Sequence, residues 1–338
     1  MRAKYIKWLL YVGILFLALI VSIGIALSFG EMQISLLDLP SILRGEQGKV
    51  AQTIVQQIRL PRVYLGIAVG GCLSLSGVIL QGIYRNPLVE PFTLGISGGA
   101  ALGVAITFLL GLQFILGSIM LPIAGFIGAF VTIFLVYILS VKQGRIRIQS
   151  MLLIGVMISF IASSAMMLLM AISTAENLHG IVFWIMGSLD EPNRFLVYLN
   201  LGVAILGLLL SYLFIQPLNA LRLGEDKARH LGINTETSIR LLFIIASLMA
   251  GISVAVAGVI GFVGLVIPHV IRMFVGSDYR VLLIASFLGG STFILICDAL
   301  ARVLIMPNEL PIGVVTGIVG GIAFVVILSR SSFKSTKL

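Results

Sequence analysis

Charged side chains make up only 10% of this 338-residue chain, against about 25% in a soluble globular protein. They are too few to clothe a water-facing surface, which excludes a cytosolic enzyme and a disordered segment. Cysteine is nearly absent too. Cys72 and Cys297 both lie inside apolar runs, the setting of small buried hydrophobes and not of a disulfide framework or a metal centre. Catalytic patterns are missing: there is no HExxH and no GxSxG, and His179, His230 and His269 are far apart. Gly48-Lys49 is followed by Val50, so no phosphate-cradling P-loop exists in this chain.

What is plentiful is apolar residue, 59% of the chain with a mean hydropathy of +1.16. It is arranged in charge-poor runs of the length a membrane-spanning helix needs, about 20 residues. The runs cover Trp8 to Phe29, Val63 to Tyr84, Ile148 to Ala175, Phe195 to Leu221, Val281 to Cys297 and Leu310 to Ser329. Pro91 to Val141 is charge-free and suits two crossings with a break near Gly111 to Gly117, while Leu241 to Ile271 holds one span or two short ones. Period-2 alternation is lacking, which excludes a transmembrane β-barrel. The first run exceeds the 7–15 residues of a signal-peptide core, so it reads as a retained helix.

Charge placement decides the count, because short cytoplasmic loops carry the excess Lys and Arg. With ten spans and both termini cytoplasmic, 16 of the 22 cations fall inside, leaving Arg44, Lys49, Arg59, Arg62, Arg194 and Arg302 outside. Nine spans would give 12 against 10. The expectation is therefore an all-α polytopic membrane protein of ten helices, with Gly258, Gly261, Gly264 and Pro268 supplying the break that the shortest pair requires. Small residues four apart, such as Gly66 and Gly70, Gly99 and Gly103, and Gly313, Gly317 and Gly321, suit close packing of helices within one bundle. No linker or low-complexity segment divides residues 1–338, which read as one transmembrane domain.

Four polar features stand out from this background. The link Arg85-Asn86-Pro87-Leu88-Val89-Glu90-Pro91 carries two prolines that hold it out of helix, giving a stiff inner turn suited to a constriction. Residues 223–233 read as a short cytoplasmic helix bounded by glycines, with Glu225 and Asp226 in its first turn and Lys227, Arg229 and His230 towards its end, matching the helix dipole. Arg59, Arg62 and Arg302 lie on the outer side, against the charge bias, so they either snorkel to the interface or dock an acidic soluble partner. Ile181 to Leu189 is apolar but too short to cross, and is expected in the interface or partly re-entrant. Ionisable groups are absent from span centres, where an ion-coupled carrier would hold them, so the energy source is expected to be external.

Seven motifs in fixed order make the chain resemble the FecCD-type permeases of ABC importers for iron-siderophores, haem and cobalamin. They are Arg59-Leu60-Pro61-Arg62; Leu75-Ser76-Gly77 with Leu80-Gln81-Gly82; Asn86-Pro87-Leu88 with Leu94-Gly95-Ile96-Ser97-Gly98-Gly99-Ala100; Trp184-Ile185-Met186-Gly187-Ser188-Leu189; Leu223-Gly224 with Ala228-Arg229 and Leu231-Gly232; Gly261-Phe262-Val263-Gly264 through His269; and Glu309-Leu310-Pro311-Ile312-Gly313-Val314-Val315-Thr316. The resemblance implies the type II ABC importer permease fold, a second permease subunit, two cytoplasmic ABC ATPase subunits that bind the ATP, and an extracytoplasmic substrate-binding protein. It implies a bacterial cytoplasmic membrane location, no cofactor, metal or catalytic residue of the chain's own, and no nucleic acid. By position, Asn86 and Leu88 match the inner gate, and Gly224, Glu225, Asp226, Ala228, Arg229, Leu231 and Gly232 match the ATPase-coupling helix. Arg59, Arg62 and Arg302 match the arginines that dock the binding protein. Spans 5 and 10 would line the pathway, offering Ser159, Ser163, Met166, Gly313 and Gly317. The expected cargo is a ferric siderophore, the most populous choice, with haem or cobalamin as alternatives and an ion-coupled carrier as the rival from another class.

Overall fold

The computed structural model describes residues 2–335 apart from 31, 47, 118, 143 and 144; of the cations sorted above, Lys337 lies outside the described residues. Its apolar helices are α1 (Arg2–Ser28), α2 (Leu60–Tyr84), α3 (Ile96–Leu109), α4 (Met120–Ser140) and α5 (Ile148–Ile172). They continue with α6 (Arg194–Leu213), α7 (Thr235–Ala257), α8 (Val263–Val275), α9 (Tyr279–Val303) and α10 (Ile312–Ser335). Among the described residues, eight helices are long and apolar enough to cross a membrane. The other two, α3 and α8, have 14 and 13 residues, a rise of about 20 Å against the roughly 30 Å of hydrocarbon. Each is preceded by non-α backbone that buries Val89, Pro91 and Leu94 in one case and Gly258 and Ile260 in the other, so packing by the surrounding protein shields it. The one departure from all-α structure among the described residues is a two-residue ladder pairing Val141–Lys142 with Arg145–Ile146.

Three local breaks differ from the sequence expectation, and each has a cause. The helical run containing Arg59-Leu60-Pro61-Arg62 is continuous from Lys49 to Tyr84 and includes a π-stretch at Ile54–Arg59. Pro61 has no N–H for the Gln57 carbonyl, so the ladder shifts register there instead of ending. Sixth-span helix stops at Leu213 and restarts at Ile215–Leu221, because Pro217 cannot bond back to Leu213 but fits a first turn. The break between α7 and α8 falls at 258–262, whereas Gly264 and Pro268 sit inside α8. Pro268 leaves the Gly264 carbonyl without its helical partner, and Gln81 Nε2 on α2 donates to it at 3.1 Å.

α2 is the axis of the bundle. It touches α6, α7, α8 and α9, and 89% of its most apolar window is buried. Glycine makes the closest approaches: a Cβ on Gly77 would lie 1.9 Å from the Gly264 carbonyl oxygen, and one on Gly70 2.3 Å from that of Gly290. Gly99 and Gly103 meet the backbone of Gly128 and Ala124 on α4 in the same way. Backbones at such separations gain dense van der Waals contact, which drives association where lipid removes the hydrophobic force. Serine hydroxyls add bonds at the same crossings, Ser76 Oγ to the Ala246 carbonyl at 2.8 Å and Ser291 Oγ to that of Ile67 at 2.9 Å.

Candidate functional site: the exposed faces of α5 and α10

Three helices are the least covered: 11% of the corresponding window of α5 is buried, 17% of that of α1 and 22% of that of α10, and of these α5 and α10 share a neighbour. The helix Ala175–Met186, which continues the outer link, touches both; it packs on α3, with Gly180 against the Phe108 ring. Between them the wall is completed by the 3₁₀ turn Pro91–Leu94, seated on α5 at Gly155, and by Phe262, seated on α10 at Gly320. On this face Ser159 and Ser163 join Thr93, Val156 and Phe160 around a depression of about 230 Å³. Met166 is half-buried on the same helix. The two glycines expected to line the path divide. Gly317 has open space beside it, whereas a Cβ on Gly313 would meet the carbonyl oxygens of Met186 and Val259 at 2.4 and 2.5 Å. Gly313 is a packing residue that lets α10 start against the 184–189 and 258–260 turns, and this corrects its placement in the lining.

Sequence reasoning assigned no role to Phe262 and Glu90. Phe262 has φ +69°, a left-handed conformation that costs a non-glycine residue about 1–2 kcal/mol. Its backbone N–H, at the start of α8, is bonded by the Glu90 carboxylate, and its ring lies over Gly320 and Gly321 of α10. A bulky aromatic between Gly261 and Gly264 was the only signal. Burial pushes the Glu90 carboxyl up to about 7, against the opposing effect of the Phe262 bond. A raised acid favours the docked link fully below its ordinary value of 4.5 and loses that contribution as pH rises through about 7. A thiol at position 88 (Leu88→Cys) should accordingly become more reactive from about pH 5 to about pH 8 than the same thiol in a Glu90→Gln background. Equal pH profiles in the two backgrounds would exclude the effect.

The inner link turns as its prolines require. Arg85 closes α2 in the left-handed region, φ +50°, and Asn86 Oδ1 accepts from the Leu88 backbone N–H at 3.0 Å. Leu88 is 52% exposed, and Asn86 lines an inner cavity. The short helix appears as Glu225–His230, entered through Gly224 at φ +111° and left through Gly232 at φ +82°. Arg229 pairs with Glu225 at 2.5 Å, and Leu231 is 63% exposed. Ala228 is fully buried against its own chain, so it positions the helix and does not face a partner.

The outer arginines depart most from expectation. Arg59, Arg62 and Arg302 are only 4%, 9% and 5% exposed, and their guanidinium groups do not form an exposed docking surface. Arg59 donates to the carbonyls of Leu27, Ser28 and Met32, and Arg302 to those of Ala26 and Phe29 at 2.9 Å each. Both therefore cap the last turn of α1, where carbonyls lack helical partners and the dipole is negative. Asp298 neutralises the cluster, lying 2.9 Å from Arg302 Nη2 and 3.7 Å from Arg62 Nε. Arg62 also binds Glu309 in a fork, at 3.0 and 2.7 Å. Burial would raise the Glu309 carboxyl, but Arg62 and Arg302 outweigh it and hold it below the ordinary value.

The helical bundle thus combines exposed faces on α5 and α10, a stiff link at Asn86–Pro87 and a short polar helix at Glu225–His230. A model of the FecCD transport family matches residues 17–330. The chain belongs to this family, and it is an ABC transporter permease, not an enzyme. It is 38% identical over 275 residues to the hemin transport system permease protein HmuU of Yersinia pestis, covering 81% of this chain and 82% of that one. It is 38% identical over 328 residues to the vitamin B12 import system permease protein BtuC of Klebsiella pneumoniae, covering 96% and 94%. A solved chain of the metal-chelate type, in an inward-facing conformation, superposes with a TM-score of 0.84 at 33% identity, covering 94% of this chain and 98% of that one.

Proposed function

We propose that this permease imports a metal chelate, a ferric siderophore, by alternating access in a bacterial cytoplasmic membrane, with both termini cytoplasmic. The observation that carries the reading is the uncovered face of α5 and α10 with its hydroxyl and thioether lining. A second permease subunit covers that face, and the path runs between the two. Among the described residues no His, Cys, Asp and Glu cluster could hold a bare metal ion, which fits a metal that travels enclosed in its organic chelator. Weak polar contacts release such cargo, where a tight site would retain it. Two ABC ATPase subunits bind the ATP and engage the helix Glu225–His230 through its exposed side and Leu231; the link at Asn86 and Leu88 responds as the inner gate.

An extracytoplasmic binding protein delivers the cargo at the outer end. Of the three arginines, Arg62 is the one whose partner, Glu309, stands half-exposed, so a carboxylate of the binding protein engages Arg62 by displacing Glu309. Replacing Glu309 with glutamine removes the internal competitor and should tighten docking about two- to fivefold, the scale of one partly exposed ion pair; weaker docking would overturn the exchange. The reading as a whole is tested by reconstituting the permease with its cognate ATPase and binding protein. Uptake should need ATP hydrolysis and follow the ligand of the binding protein. Uptake sustained by an ion gradient alone would overturn the mechanism, and a haem or cobalamin ligand would replace the cargo.

A further inference from the structure

The cavity beside the inner link holds about 400 Å³ and collects cations from three separate elements. Arg85 comes from the end of α2, Arg222 from the turn after Ile215–Leu221, and Arg272 from the last turn of α8, with His269 beside it. Gln81, Asn86, Ser277 and Tyr279 complete its polar wall, and no carboxylate lines it. Inner cations that merely obey the positive-inside bias project singly into water; these converge on one concavity.

None of the three is neutralised. Arg222 spends one donor on the Ser277 carbonyl at 2.6 Å, and Arg272 spends one on Gln81 Oε1 at 3.1 Å. No described ion pair involves Arg85, Arg222 or Arg272. Asp278, the acid next in sequence to Ser277 and Tyr279, is turned to Lys4 at 3.5 Å and Arg280 at 3.9 Å. Each guanidinium has five N–H donors in a fork that matches tetrahedral oxyanions, so most of the donors facing this cavity are unspent. A single carboxylate side chain would leave much of the space and most of the donors unused. The site lies at the ends of α2 and α8, where apolar helix gives way to polar links, and its lining includes the exposed Met273 side chain.

We infer that this cavity is a binding site for a phosphate group, carried by an anionic phospholipid headgroup or by free phosphate. Arg85 reaches from the inner link to Gly224, where an added Cβ would lie 3.4 Å from its Nη1. An occupied site therefore ties the gate segment at Asn86 to the base of the short polar helix. The inference does not depend on the cargo.

The test uses the full chain purified in detergent and stripped of lipid, with phosphatidylglycerol and inorganic phosphate as probes. Native mass spectrometry should show one phosphatidylglycerol retained, or thermal unfolding should shift upward with millimolar phosphate; the first result assigns the lipid source and the second the free anion. Arg85→Gln, Arg222→Gln and Arg272→Gln should each weaken the effect about tenfold, the loss expected for one charge-assisted contact. Arg280→Gln, on the same side but outside the cavity, should leave it intact. Arg85 is exposed and unpaired, so its variant keeps the test valid if the other two fail to fold. Equal loss in Arg280→Gln, or no response of the wild type to either probe, would overturn the site. So would a response that appears only with the cognate ATPase, since the phosphate would then be bound by that subunit and not by this cavity alone.

Discussion

Replacing Asp298 with alanine should destabilise the protein by about 3–5 kcal/mol, the cost of stranding buried charge. The carboxylate lies 2.9 Å from Arg302 and 3.7 Å from Arg62, and it is 2% exposed. Its loss leaves Arg302 and the nearby Arg59 facing each other with only carbonyl oxygens for compensation. The capped end of α1 should then loosen from α2 and α9. Thermal unfolding in detergent would register a fall of roughly 10 °C. Removing both charges together, Asp298→Leu with Arg302→Met, should recover much of the loss, because an apolar pair of similar volume often matches a buried ion pair. An unchanged Asp298→Ala protein would show that water or lipid headgroups already screen the cluster.

The second large effect is functional and separates two neighbours on one helix. Leu231→Asp changes a side chain that is 63% exposed, so stability should move by no more than about 0.5 kcal/mol. If Leu231 is an anchor in the ATPase groove, losing it should cost about 2 kcal/mol of association, close to thirtyfold in the amount of ATPase that co-purifies. Ala228→Glu lies two residues past Asp226 yet should behave differently. Its methyl is fully buried, so a carboxylate there is forced into the core and the helix detaches from its own chain. Lower thermal stability for Ala228→Glu and native stability with lost ATPase for Leu231→Asp is the expected pair. Full ATPase retention in Leu231→Asp would remove that residue from the interface.

Much of the site was readable because it rests on local rules. Gly224 and Gly232 bracket a helix with acids first and bases last, and the structure forms it there. Pro87 and Pro91 interrupt the α-helix between α2 and α3, and the link there is a turn followed by the single 3₁₀ turn Pro91–Leu94. The outer arginines were not readable. Their position against the charge bias showed that they needed a reason, but the reason is the carbonyl end of α1, some thirty residues away from Arg59 and more than 270 from Arg302. No periodicity reports a contact of that range. Gly313 was misread for a related cause: a stripe of small residues looks alike whether it faces a path or another backbone.

By itself the sequence determined the bilayer as solvent, the helical class and the order of apolar segments, because these follow from composition and run length summed along the chain. It also determined the family, through motifs in fixed order. Only the tertiary structure decided which charges are spent inside the fold and which remain free. Arg59 and Arg302 are consumed by the carbonyl end of α1, Arg302 also by Asp298, and Arg62 is held by Asp298 and the half-exposed Glu309, while Arg85, Arg222 and Arg272 converge with no acid lining their cavity. The energy of a charge depends on what surrounds it in space, and that neighbourhood exists only after α2, α8 and α9 have come together.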